Sequence, residues 1–361
     1  MKNSKYERLF FLDSLRSFLI LGVALLHAIQ IYNPQKTWLI YSDNTNVIAG
    51  YLITLLGLLL MPTFFMIAGY SSVISFRHKH NFFKRIARLL IPLLTIVCSL
   101  NILQAWLLVQ FGWKDYTINS YIKNGDWIQH VWFLINLISY TIVSMIIVRY
   151  FKEQTRLIIN KVINKLQTKS MYLILFFMPL ISILLLVLFK IIPNGWIGIN
   201  ITQIIAYIPY YFFGILLIFN KKLLKIFSST SIIIDLLIIT VSLLIIKSLE
   251  NYHNLEYRLI YFYVKYLGTW FMASLAFTIF YKYFNFKSKL IFKISDASYT
   301  IYLVHHILVV VFGMLIIYIK LNFYVGICVV FFFSSFLSYF FHRKIVLKYK
   351  FLQFCLNGKL I

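Results

Sequence analysis

The chain alternates between long apolar runs and short polar segments. The runs recur from end to end at roughly 20 residues each, which is enough for a helix to cross a hydrocarbon core of about 30 Å. We therefore expect an all-α integral membrane protein, a bundle of about ten transmembrane helices. The predicted spans are Leu9–Tyr32, Val47–Phe76, Ile86–Phe111, Ile128–Phe151, Met171–Ile192, Ile201–Phe219, Ser231–Leu249, Leu259–Tyr281, Ser295–Tyr318 and Leu321–Phe341.

Composition agrees with this pattern, and charge adds an orientation. Hydrophobic side chains make up 61% of the 361 residues and charged ones 12%. The net charge of +25 raises the question of nucleic-acid binding, but 26 of the 35 basic residues lie in every second polar segment, starting with Lys2, Lys5 and Arg8. Basic segments stay cytoplasmic, so both termini are predicted inside. We expect attraction to anionic lipids and no nucleic-acid partner.

No connection is long enough for a soluble catalytic domain, so residues 1–361 are predicted to form a single polytopic membrane domain. The cysteines Cys98, Cys328 and Cys355 lack metal-ligand spacing, and no metal site is expected. Two segments, MPTFFMIAGY and IPYYFFG, carry Pro and Gly inside apolar runs. Such residues mark either breaks around a cavity or ordinary packing kinks, and their frequency in membrane helices favours packing.

The first apolar run carries three polar side chains in LDSLRSFLILGVALLH. Arg16 and His27 are eleven positions apart, which places them on one helix face about 16 Å apart along the axis, with Asp13 on the same face. Charges within a membrane usually face a cavity or a partner. Two alternatives stay open: an arginine paired with Asp13 for structure alone, and a neutral core histidine.

A second cluster lies in SDASYTIYLVHH, where Ser298, Tyr302 and His305 follow one another at spacings of four and three and share a helix face. His130 stands in HVWFL at the outer start of the fourth span. These side chains are candidates for a supporting role beside His27.

Arg85 and Arg88 occur in FFKRIARLLIP at the cytoplasmic start of the third span. Spacing alone favours a topological role for the two arginines over ligand binding.

These pieces together resemble acyltransferase family 3 of integral membrane proteins, and within it the glucan succinyltransferase branch. The matching segments are RLFFLDSLRSFLILGVALLH, MPTFFMIAGY, FFKRIARLLIPLL, HVWFLINL and SYTIYLVHH, in the order of the family and over nearly the whole chain. The resemblance implies a multi-pass protein of the bacterial cytoplasmic (inner) membrane. It also implies transfer of an acetyl or succinyl group from cytoplasmic acyl-CoA to a hydroxyl of an extracytoplasmic carbohydrate, such as a glucan.

The resemblance also assigns roles. Arg16 and His27 match the essential pair of the family, Arg85 and Arg88 its donor-associated arginines, and His305 the histidine of its SYxxYLxH element. No permanently bound cofactor is implied, because acyl-CoA is the donor. Some members of the family carry an esterase-like domain, so either direct transfer or a separate esterase or transferase partner is expected.

Acyl transfer to a hydroxyl needs a base near neutral pH, and we expect His27 to supply it. At about 16 Å the guanidinium and the imidazole cannot reach one carbonyl, so Arg16 is expected to orient the donor. The alternative function is a transporter that exports a lipid-linked sugar or acylated glycan, since buried charges and interrupted helices also mark substrate pathways.

Overall fold

The computed structural model describes residues 9–75, 79–163, 167–189, 199–252 and 254–359, and within these ranges it consists of helices and connections without a strand. The α-helices are α1 (Phe10–Gln30), α2 (Val47–Ser75), α3 (Lys79–Val97), α4 (Leu100–Gln110), α5 (Ile118–Lys123), α6 (Trp132–Ile163), α7 (Thr168–Phe189), α8 (Ile201–Phe219), α9 (Lys221–Phe227), α10 (Ile232–Leu249), α11 (Leu255–Tyr283), α12 (Lys289–Tyr318), α13 (Phe323–Phe341) and α14 (Lys350–Asn357). The predicted ends at Phe76 and Ile192, and the basic residues Lys2, Lys5 and Arg8, lie outside the described residues.

Nine segments of the described chain are long and apolar enough to cross a membrane, one fewer than the ten predicted. The predicted span Leu259–Tyr281 does form a helix, α11, but it is not among the nine. Several tyrosines and Lys265 lower the mean hydropathy of this helix, although its length of 29 residues would suffice.

The predicted third span is confirmed as a segment long and apolar enough to cross a membrane, Phe83–Gln110, but its helix is interrupted at Cys98 and Ser99 between α3 and α4. The Ser99 hydroxyl donates to the Thr95 carbonyl at 2.5 Å, and the Thr95 hydroxyl donates to the Ile91 carbonyl at 2.9 Å. Side chains that bond back to the preceding turn bend helices. Beyond the interruption, Asn101 in the first turn of α4 donates to the Trp127 carbonyl at 2.8 Å.

Two further boundaries differ from the prediction. A 3-10 turn, Gln129–Val131, precedes α6, with Gln129 at a φ of 45°. The left-handed conformation of Gln129 ends the preceding loop, so the chain turns into α6 from His130 onward. Helix α12 starts at Lys289, six residues before the predicted Ser295, because the Ser288 side chain caps it by accepting from the Ile291 amide.

The two Pro/Gly segments meet in space, which supports the packing interpretation. Helix α2 is continuous through Pro62. A Cβ atom at Gly69 would lie 1.9 Å from the Tyr211 carbonyl oxygen, and one at Gly214 would lie 2.0 Å from the Met66 carbonyl oxygen. The glycines therefore let the backbones of α2 and α8 touch, as small residues do in membrane bundles.

Helix α1 lies inside the bundle, against α2, α11, α12 and α13. Three buried apolar clusters surround it: a large one shared by α2, α8 and α11, one between α3, α12 and the C-terminal segment, and one around the loop that follows α1. The polar side chains of α1 consequently face protein and not lipid. The orientation of the termini across the membrane stays a prediction.

Candidate active site

Four imidazoles meet between the C-terminal half of α1, the 3-10 turn and the middle of α12. The His27 ring lies 5.5 Å from that of His305 and 4.9 Å from that of His306. The His130 ring stacks on His306 at 4.4 Å and lies 5.8 Å from His305. His130, His305 and His306 are buried, whereas His27 is partly exposed. We call these four residues the histidine cluster.

Hydrogen bonding orients the His27 imidazole. Its Nδ1 lies 2.7 Å from Oε1 of Gln30, three residues further along α1. An amide oxygen can only accept a hydrogen bond, so Nδ1 carries the hydrogen and donates the hydrogen bond to Gln30 Oε1. The lone pair then lies on Nε2, which becomes the basic atom of the ring. The indole of Trp38 stacks beside His27 at 5.6 Å and fixes its plane from the loop side.

The two histidines of α12 are fixed in the same tautomer. His305 Nδ1 lies 2.9 Å from the Ile301 carbonyl oxygen, and its Nε2 has no hydrogen-bond partner among the residues that the structure describes. His306 Nδ1 lies 2.8 Å from Oε1 of Gln104, whose Nε2 donates to Gln129 Oε1. Each ring therefore donates through Nδ1 and presents Nε2 as an acceptor.

Tyr302 separates the histidine cluster from a cavity of about 430 Å³ on the N-terminal side of α1. Its hydroxyl donates to the His130 carbonyl, and its ring lies 5.5 Å from His130 and 6.2 Å from His305. The same side chain lines the cavity. One layer of aromatic side chain thus stands between the cavity and the imidazoles.

Arg16, Asp13 and Ser298 line this cavity. The Arg16 Nη1 atom lies 3.9 Å from Asp13 Oδ1, and Asp13 also accepts from the Ser295 hydroxyl at 3.2 Å. The carboxylate holds the guanidinium at the cavity wall, where a fork of donors suits an anionic or carbonyl oxygen. Arg16 is both paired with Asp13 and turned toward a cavity, so the two interpretations of this arginine are compatible.

A second pocket of about 600 Å³ adjoins the cavity and contains Arg85 and Arg88. Ser71 and Tyr299 line both spaces. Arg85 Nη2 donates to the Ala68 carbonyl at 3.3 Å, and the Tyr299 hydroxyl donates to the Arg88 carbonyl at 2.9 Å. The predicted residues therefore form three successive groups: the two arginines, then Arg16, then the histidines.

His27, His130 and His305 were predicted as site residues from three different sequence segments. Four residues that surround them were not predicted: Gln30, Trp38, Gln104 and His306. Gln30 carries a local signal, since a side chain three residues after His27 lies on its face of the helix. Gln104 and Trp38 come from segments whose approach to α1 and α12 is a tertiary feature.

The four imidazoles do not converge as ligands would around an ion. In the ranges that the structure describes, no three His, Cys, Asp or Glu side chains form such a group. The cluster is arranged ring against ring, and Nδ1 of His27, His305 and His306 is bonded to an amide or carbonyl oxygen.

Comparison with known proteins gives the family. A family model described as an acyltransferase domain matches residues 9–343, nearly the whole chain. The chain belongs to acyltransferase family 3. It is also 25% identical over 332 residues to proteins named glucans biosynthesis protein C from Salmonella typhi, Salmonella typhimurium and Salmonella paratyphi B, covering 87% of this chain and 85% of theirs. No solved structure matches the chain.

Family membership makes this multi-pass membrane protein an acyltransferase, and it confirms the resemblance seen in the sequence. The match includes every residue of the histidine cluster, the cavity of Arg16 and the two arginines of the second pocket. An acyltransferase site needs a base and groups that hold the donor, and these three places offer both.

Proposed function

We propose that the protein is an O-acyltransferase of the bacterial cytoplasmic membrane that moves an acyl group from cytoplasmic acyl-CoA to a hydroxyl of an extracytoplasmic carbohydrate. The observation that carries the proposal is the line of three groups through the bundle, from Arg85 and Arg88 past Arg16 to His27. The line connects a basic pocket at one end with a partly exposed imidazole toward the other.

His27 serves as the general base in this proposal. With Nδ1 bonded to Gln30, Nε2 is the atom that takes the proton from the acceptor hydroxyl. The hydroxyl oxygen attacks the thioester carbonyl carbon, the C–S bond then breaks, and the thiolate of CoA leaves and recovers the proton from the imidazolium. His27 is the member of the cluster that is not fully buried, so an acceptor reaches it before the other imidazoles.

Arg16 orients the donor. Its guanidinium, held by Asp13, faces a cavity of about 430 Å³ that is wide enough for the flexible arm of the donor. The acyl carbon would pass Tyr302 to reach the cluster, with Ser298 on the cavity wall and His130 and His305 as supporting side chains around His27. Direct transfer follows from this route, and a separate transferase partner would be needed only if the acceptor cannot approach His27.

The carbohydrate acceptor rests on the relatives, whose printed names concern the biosynthesis of glucans. A glucan is therefore the first acceptor to test, with acetyl and succinyl as the donor groups. Anionic lipids would contact the basic segments at the cytoplasmic face.

The test is mass spectrometry of surface and periplasmic carbohydrate from cells that lack the protein, complemented with wild type or with His27→Ala at equal expression. Loss of a general base lowers the rate by about 10²–10⁴-fold. We expect an acyl mass increment with wild type that disappears with His27→Ala, and the size of the increment identifies the group.

Two results would contradict the proposal. Full restoration of the increment by His27→Ala would make His27 a structural histidine and shift the base elsewhere in the cluster. A change in glycan export without any increment would favour the transporter.

A further inference from the structure

The pocket that contains Arg85 and Arg88 is closed on one side by the C-terminal part of the chain. Asn357, the last residue of α14, lines this pocket together with Lys84 and the two arginines. The other polar lining residues are Ser71 and Tyr299, and none of the lining residues in the described part of the chain is acidic. Two arginines and a lysine in one pocket favour an anionic ligand, and a volume of about 600 Å³ lies within the range of small-molecule sites.

The C-terminal segment is fixed in this position by a backbone contact. Gly358 follows α14 with a left-handed φ of 55°. A Cβ atom at this position would lie 2.3 Å from the Cα atom of Arg88 and 2.9 Å from the Ala87 carbonyl oxygen. Only glycine satisfies both the conformation and the approach. The chain therefore touches α3 at the arginine that lines the pocket.

Side-chain bonds orient Asn357 from the other side. Thr300 Oγ1 donates to Asn357 Oδ1 at 3.2 Å and lies 2.7 Å from Nδ1 of His342. His342 Nε2 in turn lies 3.6 Å from Asp296 Oδ2. The side-chain oxygen of Asn357 is bonded to Thr300. Its NH2 group, which can only donate hydrogen bonds, is therefore the part of the amide that is available to a ligand in the pocket.

We propose that α14 and Gly358 form one wall of a phosphate-binding pocket, in which Asn357 donates to the same nucleotide phosphate that Lys84, Arg85 and Arg88 neutralise. This inference rests on the proposed function, because the nucleotide is the CoA moiety of the donor. Tight binding of a phosphate requires positive charge and hydrogen-bond donors directed at its oxygens. Helix α3 supplies the positive side chains, and α14 supplies the amide donor. The 430 Å³ cavity of Arg16 continues from this pocket past Ser71 and Tyr299, so a nucleotide held here directs its arm toward Arg16.

The test is binding of CoA and of dephospho-CoA to the purified full-length protein in nanodiscs, measured by the shift of its melting temperature with ligand concentration. Loss of one hydrogen bond to a charged group weakens binding about 10-fold. We expect Asn357→Ala to raise the Kd for CoA by about that factor. Asn357→Asp should raise it further, because a carboxylate then faces the phosphate.

Gln353→Ala is the matched control, since Gln353 lies on the same helix but donates to the Leu347 carbonyl at 3.0 Å and does not line the pocket. Lys84→Ala, at an exposed side chain on the opposite wall, is a second variant that should weaken binding without disturbing the fold. Melting temperatures without ligand identify any variant that is misfolded.

The outcomes separate this inference from the proposed function. Binding of CoA by wild type, with Asn357→Asp and Lys84→Ala at wild-type affinity, would overturn the phosphate pocket while leaving the acyltransferase intact. If wild type ignores CoA but is stabilised by nanodiscs of anionic lipid through the same residues, the pocket holds a lipid headgroup, and both the inference and the acyl-CoA donor fail.

Discussion

The chemistry of the histidine cluster depends on which ring nitrogen carries the proton. A neutral imidazole acts as a base only through the nitrogen that lacks hydrogen, and in His27 the bond to Gln30 makes that atom Nε2. In the proposed mechanism, Gln30 is therefore a positioning residue for His27, in the way that a hydrogen-bond acceptor orients a catalytic base elsewhere.

Replacing Gln30 tests this orientation. Gln30→Leu removes the acceptor and lets the ring turn or change tautomer, so we expect kcat to fall about 10–100-fold with little change in KM for the donor. Gln30→Glu keeps an acceptor oxygen in place and should retain most of the activity. Steady-state kinetics of the purified variants with acyl-CoA gives both constants.

Gln104→Leu provides a comparison within the same cluster, because Gln104 bonds His306 and not His27. Equal losses of kcat in Gln30→Leu and Gln30→Glu would show that Gln30 has only a structural role, and the assignment of Nε2 as the base would lose its support.

Sequence alone identified the residues with a strong local signal. His27 and Arg16 stand out because ionisable groups are rare within apolar runs, and in the structure both side chains lie inside the bundle. Gln104 and His306 carry no comparable signal, because an amide in α4 and the second of two adjacent histidines can be recognised as site residues only once α4 packs against α12. The interruption at Ser99, which separates α4 from α3, is likewise a feature that hydropathy does not register.

At the scale of elements, the fold is organised by close helix crossings. Lipid tails are as apolar as leucine, so helices in a membrane associate through packing and not through removal of apolar surface from water. Gly69 and Gly214 place α2 and α8 in backbone contact, and α2 in turn packs on α1, which carries Arg16 and His27. The Pro and Gly positions were visible in the sequence, but their pairing across two helices is a tertiary property.

We expect Gly214→Ala to destabilise the protein by about 3 kcal/mol or more. The added Cβ would lie 2.0 Å from the Met66 carbonyl oxygen, and two packed helix backbones can separate only at a high energetic cost. Gly69→Ala should behave alike, with the Tyr211 carbonyl oxygen at 1.9 Å. Thermal unfolding in one detergent, monitored by circular dichroism, measures the loss.

Gly57→Ala is the matched control on α2, where an added Cβ meets nothing within 4 Å. Alanine is the better helix former, so this variant should equal or exceed wild-type stability by up to about 1 kcal/mol. Wild-type melting of Gly69→Ala and Gly214→Ala would mean that α2 and α8 are not in contact through these glycines.

At the scale of the whole molecule, the site requires that its two ends face different compartments. The basic pocket lies where α3, α12 and α14 come together, on the side of the basic segments, and His27 lies toward the loop 31–46. Charge distribution predicts that the pocket faces the cytoplasm, where acyl-CoA is present, and that the loop faces outward. This orientation is the one feature of the fold that the proposed reaction cannot do without.

Labelling with a membrane-impermeant maleimide tests the orientation in a variant whose cysteines, Cys98, Cys328 and Cys355, are replaced by serine. Single cysteines are then introduced at Asn44 and Lys350, both exposed and outside the apolar spans. In intact spheroplasts we expect Asn44→Cys to react and Lys350→Cys to stay unlabelled, whereas both should react after permeabilisation. The opposite pattern would put the arginine pocket outside the cell, where no acyl-CoA could reach it, and transfer across the membrane by this route would be excluded.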